Sequence, residues 1–261
     1  MSAPADILPV VATGLAGAAA FFSIGAYGLA RPASTMWGPV VSRGPADKSA
    51  VALTFDDGPL PGSTERVLDA LGESGVRAAF FVIGRCAARW PDLVRRMHAE
   101  GHLVGNHSFD HHLLGLTGRY RYWAEELRQT DDLIEELIGR RPAMFRPPMG
   151  YKHWHLTNAA ADAGHAVVTW SRRALDGPAL DAPRILDRLV PRAAPGDVLL
   201  LHDGNNPHLP PQDRAGTVAA VRPLIAALRG RGLTPARLDE LLGLPAYHDP
   251  AAGTSAVAAA V

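Results

Sequence analysis

The chain has 261 residues, enough for one large α/β domain or two small ones, and 47% of them are hydrophobic, enough for a sizeable core. Lys+Arg and Asp+Glu both total 26, so no net positive field draws the chain onto phosphate backbones, which argues against nucleic acid as a partner. The single cysteine, Cys86, excludes an internal disulfide framework; it follows the apolar run Ala79-Phe80-Phe81-Val82-Ile83 and reads as structural.

In chain order, the first feature is the stretch from Ile7 to Ala30, which carries no charge and is rich in Ala, Gly, Val, Leu and Phe. Its length matches the ~20 residues that cross a hydrocarbon core, so residues 1–30 are expected to form a membrane-spanning anchor, with membrane contact through residues 7–30. A cleaved signal peptide is the competing reading, because Gly28-Leu29-Ala30 ends in small residues, but no Lys or Arg precedes the apolar run. Arg31, Arg43 and Lys48 follow it, and by the positive-inside rule these flanking charges favour a cytoplasmic main domain. Residues 31–48, with Pro32, Pro39, Gly44 and Pro45, read as an extended linker, residues 49–244 as the folded domain, and residues 245–261 as a flexible Ala-rich tail.

Within the domain, short β-type runs alternate with longer stretches of helical period. The expected strands are 51–55, 79–83, 102–105, 144–146, 166–170, 197–201 and 234–237. The expected helices are 63–74, 88–100, 122–138, 153–163, 182–192 and 214–231. Parallel neighbours need a crossover, so strand then helix, repeated about six times, implies a mainly parallel sheet. An open doubly wound sheet and a closed barrel both satisfy the pattern. Ionisable residues follow the strands in five places: Asp56-Asp57, His107 to His111, Arg146, Asp176 and His202-Asp203. The carboxyl ends of parallel strands share one rim, so these residues are candidates for one site.

Adjacent aspartates in a regular strand point to opposite faces, so Asp56 and Asp57 can share a site only where the strand ends, and Gly58-Pro59 supplies the turn. His107 and His111 are four apart, a spacing that serves one metal ion on a helical turn or a compact loop. Two histidines with a carboxylate leave positions open for water and substrate. Phe145-Arg146-Pro147-Pro148-Met149-Gly150 places an arginine before a stiff turn able to aim backbone N–H groups outward. Val198 to His202 ends a buried strand in a histidine, the side chain suited to moving protons near neutral pH.

Together these motifs resemble the polysaccharide deacetylase family, carbohydrate esterases that share the NodB homology domain, over about Ala50 to Leu244. Thr54-Phe55-Asp56-Asp57-Gly58-Pro59, His107-Ser108-x-x-His111, Arg146-Pro147-Pro148-Met149-Gly150 and Leu200-Leu201-His202 match four family motifs in order. The resemblance implies an α/β fold, a NodB-like distorted (β/α)7 barrel. It also implies a hydrolase that removes an N-acetyl or other N-acyl group from an amino sugar. The metal ligands would be Asp57, His107 and His111, holding a divalent ion, Zn2+ first, with Co2+, Ni2+ or Mn2+ admissible. Asp56 would be the general base, with Arg146 orienting it. His202 would be the general acid, with Asp176 orienting it. Met149, through its backbone N–H, with Gly150, Tyr151, Leu200 and Trp170, would contact the substrate.

Two positions depart from the family pattern. Met149 stands where tyrosine is usual. In Trp170-Ser171-Arg172-Arg173-Ala174-Leu175-Asp176-Gly177, Arg173 replaces an earlier aspartate and Gly177 a tryptophan, so an aromatic wall is missing unless Tyr151 or Trp154 replaces it. The leading expectation is deacetylation of a cell-envelope glycan. Alternatives are a lipid-linked sugar or glycolipid as substrate and, in another class, a catalytically silent glycan-binding protein. The resemblance implies an extracytoplasmic domain on a single-pass anchor, against the flanking charges. The sequence is silent on oligomeric state.

Overall fold

A computed structural model describes residues 27–176 and 180–249. In chain order the elements are β1 (Ala50–Asp56), α1 (Thr64–Glu73), β2 (Ala79–Val82), α2 (Gly84–Arg89), α3 (Pro91–Ala99), β3 (Leu103–Asn106), α4 (Tyr120–Ile138), β4 (Met144–Phe145), α5 (Trp154–Asp162), β5 (Ala166–Val167), β6 (Arg172–Arg173), α6 (Ala182–Leu189), β7 (Val198–His202), α7 (Ala215–Gly230), β8 (Thr234–Pro235) and α8 (Leu238–Leu242). The ladders are parallel, in the order β5-β4-β3-β2-β1-β7-β6, with β8 on the first residues of β1.

Strand periodicity sorts the side chains into two layers. Val51, Leu53 and Phe55 of β1, Phe80 and Val82 of β2, and Leu199 and Leu201 of β7 face the helices and join the larger core with α1, α6 and α7. Ala52, Ala79, Phe81, Val198 and Leu200 face the other way, into the concave side, with Trp170 and Leu238. By the same alternation Asp56 and His202 end their strands on the concave side. They are also direct cross-strand partners, because Asp56 pairs in register with His202.

The expected distorted (β/α)7 barrel is found as an incomplete one. The sheet is a curled, parallel half-barrel, and no ladder joins its edge strands β5 and β6 among the described residues. Only Val168 to Ser171 separate those edges in sequence, so the seam is narrow. Val41 bridges to Val168 and Arg43 to Asp197 across it. Residues 31–48, expected as a linker, are therefore in part built into the domain. The tail is too: Tyr247 bridges to Pro142 and its hydroxyl accepts from Val104 N–H.

The helix expected over 88–100 is two, α2 and α3, because Pro91 cannot continue a helix and instead begins the second. β6 and α8 were not anticipated; two residues in one and five in the other are too few to show a period. The expected anchor falls almost wholly on residues outside the described ones; residues 27–30 are helical. Among the described residues no helix is long and apolar enough to cross a membrane.

Candidate active site

β1 delivers the aspartate pair. Asp56 is its last residue, and Asp57 adopts a left-handed backbone with φ 69°, which turns the second carboxylate out of strand alternation. Aspartate tolerates that region better than most residues, and Gly58-Pro59 carries the chain away. Gly204 lies against this turn so closely that a Cβ would strike the Asp57 carbonyl, and Asp203 and Gly204 donate to the Asp56 carbonyl. The ends of β1 and β7 thus lock together.

The segment after β3 brings His107 and His111 to Asp57. Their Nε2 atoms lie 3.4 and 3.3 Å from Asp57 Oδ1. This is a compact loop, not a helical turn, with Ser108 at φ 64° and His111 at φ 49°. Asn106 Oδ1 accepts from Ser108 N–H, Ser108 Oγ from His111 N–H, and Glu126 of α4 from the N–H groups of Phe109 and Asp110. One ligand atom from each of Asp57, His107 and His111 can be chosen so that all three lie within 4.8 Å of one another.

These residues fit a divalent cation on several counts. Asp57 Oδ1 is buried without a hydrogen-bond partner, a costly state for a carboxylate oxygen unless a cation completes it. Burial, partly offset by Asp57, pushes His111 down to about 4, so its ring is neutral and keeps a lone pair at neutral pH. Burial pushes Asp57 upward, but at the low pH where the carboxyl would take up a proton His111 and His107 are charged beside it, and together they hold it below the usual range. His107 Nδ1 sits 2.7 Å from the Arg146 carbonyl, which orients Nε2 toward Asp57, and the Asn206 carboxamide lies 2.7 Å from His111 Nδ1.

Beside it stand two ion pairs, with Asp56 Oδ2 3.7 Å from His107 Nε2. Arg146, at the end of β4, is fully buried, and its Nη1 donates to Asp56 Oδ1 at 2.7 Å and Thr54 Oγ1 at 2.8 Å. Its Nε and Nη2 donate to the carbonyls of Val168 and Thr169, and its guanidinium lies 4.1 Å from the Phe81 ring centroid. Burial lowers its pKa and Asp56 opposes that, leaving the arginine the fixed cation beside the aspartate. His202 Nδ1 donates to Asp176 Oδ1 at 2.8 Å, and Asp176 Oδ2 accepts from Thr217 Oγ1 and His202 N–H. Burial works to lower the His202 pKa, but Asp176 overrides it and raises it to about 9. Burial would likewise raise Asp176, and its bonds to His202 hold it down.

The remaining predicted residues lie on the turn after Arg146 and in the concave-side core. Met149, at φ 55°, and Gly150, at φ 71°, make a left-handed turn after Arg146 that exposes Met149. A Cβ on Gly150 would strike the Trp170 ring, which is buried against the turn 5.9 Å from the Arg146 guanidinium. Leu200 is buried in β7, and Tyr151 shares a shallow recess with Met149, His112 and His153. Trp154 stands 63% exposed at the start of α5, and Gly177 lies outside the described residues.

Sequence reasoning assigned no role to Thr54, Asn106, Glu126, Asn206 or Asp203. Asp203 is buried, accepts from Thr64 Oγ1 at 2.6 Å, and is pushed up to about 7 chiefly by burial. Glu126 could have been suspected, as an acidic residue on the inward stripe of α4 with Trp123, Leu127 and Thr130.

Residues 43–168 match the sequence profile of the family described as polysaccharide deacetylase. A peptidoglycan-N-acetylglucosamine deacetylase of Bacillus cereus is 33% identical over 189 residues, 72% of this chain and 66% of its own length. A chitooligosaccharide deacetylase of Sinorhizobium fredii is 38% identical over 202 residues, 74% of this chain and 91% of its own. Among solved structures, a peptidoglycan N-acetylglucosamine deacetylase in complex with 4-naphthalen-1-yl-N-oxidanyl-benzamide superposes with a TM-score of 0.74 at 29% identity, covering 80% of this chain and 95% of that one. On these matches the chain belongs to the polysaccharide deacetylase family of hydrolases.

Proposed function

We propose that this enzyme hydrolyses the N-acetyl amide of an amino sugar in a cell-envelope glycan, with a divalent ion, Zn2+ first among the candidates, held by Asp57, His107 and His111. When bound, such an ion polarises the acyl carbonyl and makes a coordinated water easier to deprotonate. Asp56 takes the proton of the attacking water, its carboxylate aimed by the bond from Arg146. Water adds to the carbonyl carbon, and the Met149 N–H donates to the oxygen as it gains charge. The C–N bond then breaks and His202 protonates the departing amine. Because Nδ1 is committed to Asp176, the transferred proton leaves from Nε2. Acetate and a free amino sugar result, without a covalent enzyme intermediate. Leu200 and Trp170 give the acyl group an apolar bed, with Gly150 and Tyr151 beside it.

The observation that carries this reading is an orphaned Asp57 Oδ1 facing two imidazoles next to an Asp56 carboxylate held through one oxygen by Arg146, a metal ligand and a base from adjacent residues. The uncharged run Ile7 to Ala30 favours a second substrate reading, a lipid-linked amino sugar met at a bilayer by an anchored enzyme. Acetate release from N-acetylated peptidoglycan, chitooligosaccharide and lipid-linked sugar, before and after chelation and Zn2+ re-addition, tests both. Release indifferent to the chelator sinks the metal mechanism, and a strong preference for lipid-linked sugar replaces the first substrate with the second.

A further inference from the structure

Lys152 follows the Met149-Gly150 turn and is completely buried, yet it has no carboxylate partner among the described residues. Its ammonium donates instead to three carbonyls: Arg31 at 2.8 Å, Pro32 at 3.2 Å and Gly150 at 3.3 Å. A buried cation is tolerated only where every N–H finds an acceptor. Here the acceptors come from two places far apart in sequence. Burial lowers the Lys152 pKa to about 8.

The same segment is held at further points. Thr169 Oγ1 donates to the Pro32 carbonyl at 2.9 Å, Lys152 N–H donates to the Leu29 carbonyl, and Thr157 Oγ1 donates to the Trp37 carbonyl. Val41 then exchanges backbone bonds with Val167 and Thr169 across the seam of the half-barrel. These attachments bear on the reacting groups. The carbonyls of Val168 and Thr169 receive Arg146, which holds Asp56, and Gly150 adjoins the residue whose N–H meets the oxyanion. The match to the family begins only at residue 43, so most of this segment lies outside it.

We propose that residues 29–43, locked down by Lys152, are a working part of the catalytic apparatus. They brace the Pro147 to Tyr151 turn on one side and the Val168-Thr169 carbonyls on the other, and Lys152 is the positioning residue that joins the two. The proposal rests on the functional reading above for its account of what is positioned. A segment that follows directly on the apolar run of residues 7–30 thereby ties the site to whatever holds that run.

Full-length chain carrying Lys152→Met, which keeps the length of the side chain and removes its donors and charge, tests this. With N-acetylated chitooligosaccharide, kcat should fall roughly 10–100-fold while KM and Zn2+ affinity stay within about twofold, as expected when distant bracing shifts reacting groups by about an ångström. Hydrogen exchange should rise together in peptides covering 29–43 and 147–152. Thr169→Val, which removes a single bond to Pro32, should change the same quantities by less and serves if Lys152→Met does not fold. Faster exchange in 29–43 with kcat unchanged, in either variant, overturns the proposal, and so does a loss of kcat with exchange in 29–43 unaltered. If the unaltered chain releases no acetate, the functional reading falls instead. The brace is then judged by exchange alone and stands only if both segments loosen together.

Discussion

The loops after β1 and β3 and the ends of β4 and β7 supply the two sides of the site by different means. On the first side Asp57, Ser108 and His111 sit in left-handed backbone, and two imidazole nitrogens converge on a carboxylate oxygen that has no hydrogen-bond partner. On the second, Arg146 and Asp56 satisfy each other, as do His202 and Asp176, in regular strand or against it. Residues held in sparsely populated conformations persist where their surroundings over-determine them, and here the surroundings are Asn106, Glu126 and Gly204. One side therefore holds a carboxylate oxygen that a cation would complete, whereas on the other each charge has an opposite charge as its partner, and the two meet where Asp56 Oδ2 lies 3.7 Å from His107 Nε2. The two should fail independently.

The largest separation is expected from His111→Ala. It should abolish tight Zn2+ binding and lower acetate release on the order of 10³-fold, as befits loss of the main stabiliser of developing charge. The His202 imidazole, followed by NMR, should still titrate well above 6.5. A collapse of that titration would show the two sides to be one coupled unit. Asp56→Asn works from the other side. Zn2+ should remain bound while kcat drops about 10²- to 10⁴-fold, the range for loss of a general base. It should also destabilise the fold by about 3–5 kcal/mol, because Arg146 is left buried without its carboxylate. Retained activity in a well-folded Asp56→Asn protein would remove Asp56 from the role of base.

The difference between the two sides also explains what could be read from sequence. Asp56, Asp57, His107, His111, Arg146 and His202 were legible because strand ends in a parallel sheet share one rim, and motif order did the rest. Asp176 could be placed on that rim from sequence, but its role toward His202 came only through the family pattern, since it lies in an irregular stretch three residues beyond the two-residue strand β6. The residues that hold the loops were not legible: Asn106 reaches α4 through Asp131 and Leu127, and Asn206 reaches His111 across 95 positions. Contacts so distant in sequence leave no local period. The half-barrel seam was missed for the same reason, because proline-rich residues 31–48 read as a linker whereas their bridges run to Val168 and Asp197.

A smaller effect is expected at Asp176. The His202 pKa is raised in the folded protein, so its bond to Asp176 contributes stability fully present below pH 6.5 and lost as pH rises through about 9. Asp176→Asn should flatten that loss. It should also move the alkaline limb of kcat/KM from near pH 9 toward 6.5, cutting activity at pH 8 about 10- to 100-fold, as other orienting partners do. An unmoved limb would mean that another group donates the proton.

The smallest effect, and the sharpest test of the division, is expected from Asn206→Ala. Asn206 comes from the chain just beyond β7, the proton-handling side, yet its carboxamide touches His111 on the metal side. If contact rather than chain position decides, Zn2+ affinity should weaken about tenfold while the alkaline limb stays near pH 9. The opposite result, unchanged affinity with a displaced limb, would assign Asn206 to the histidine four residues before it and dissolve the boundary. Buried His111 takes up a proton only toward about pH 4, so Zn2+ affinity compared at pH 7 reads the lost contact without interference from that ring.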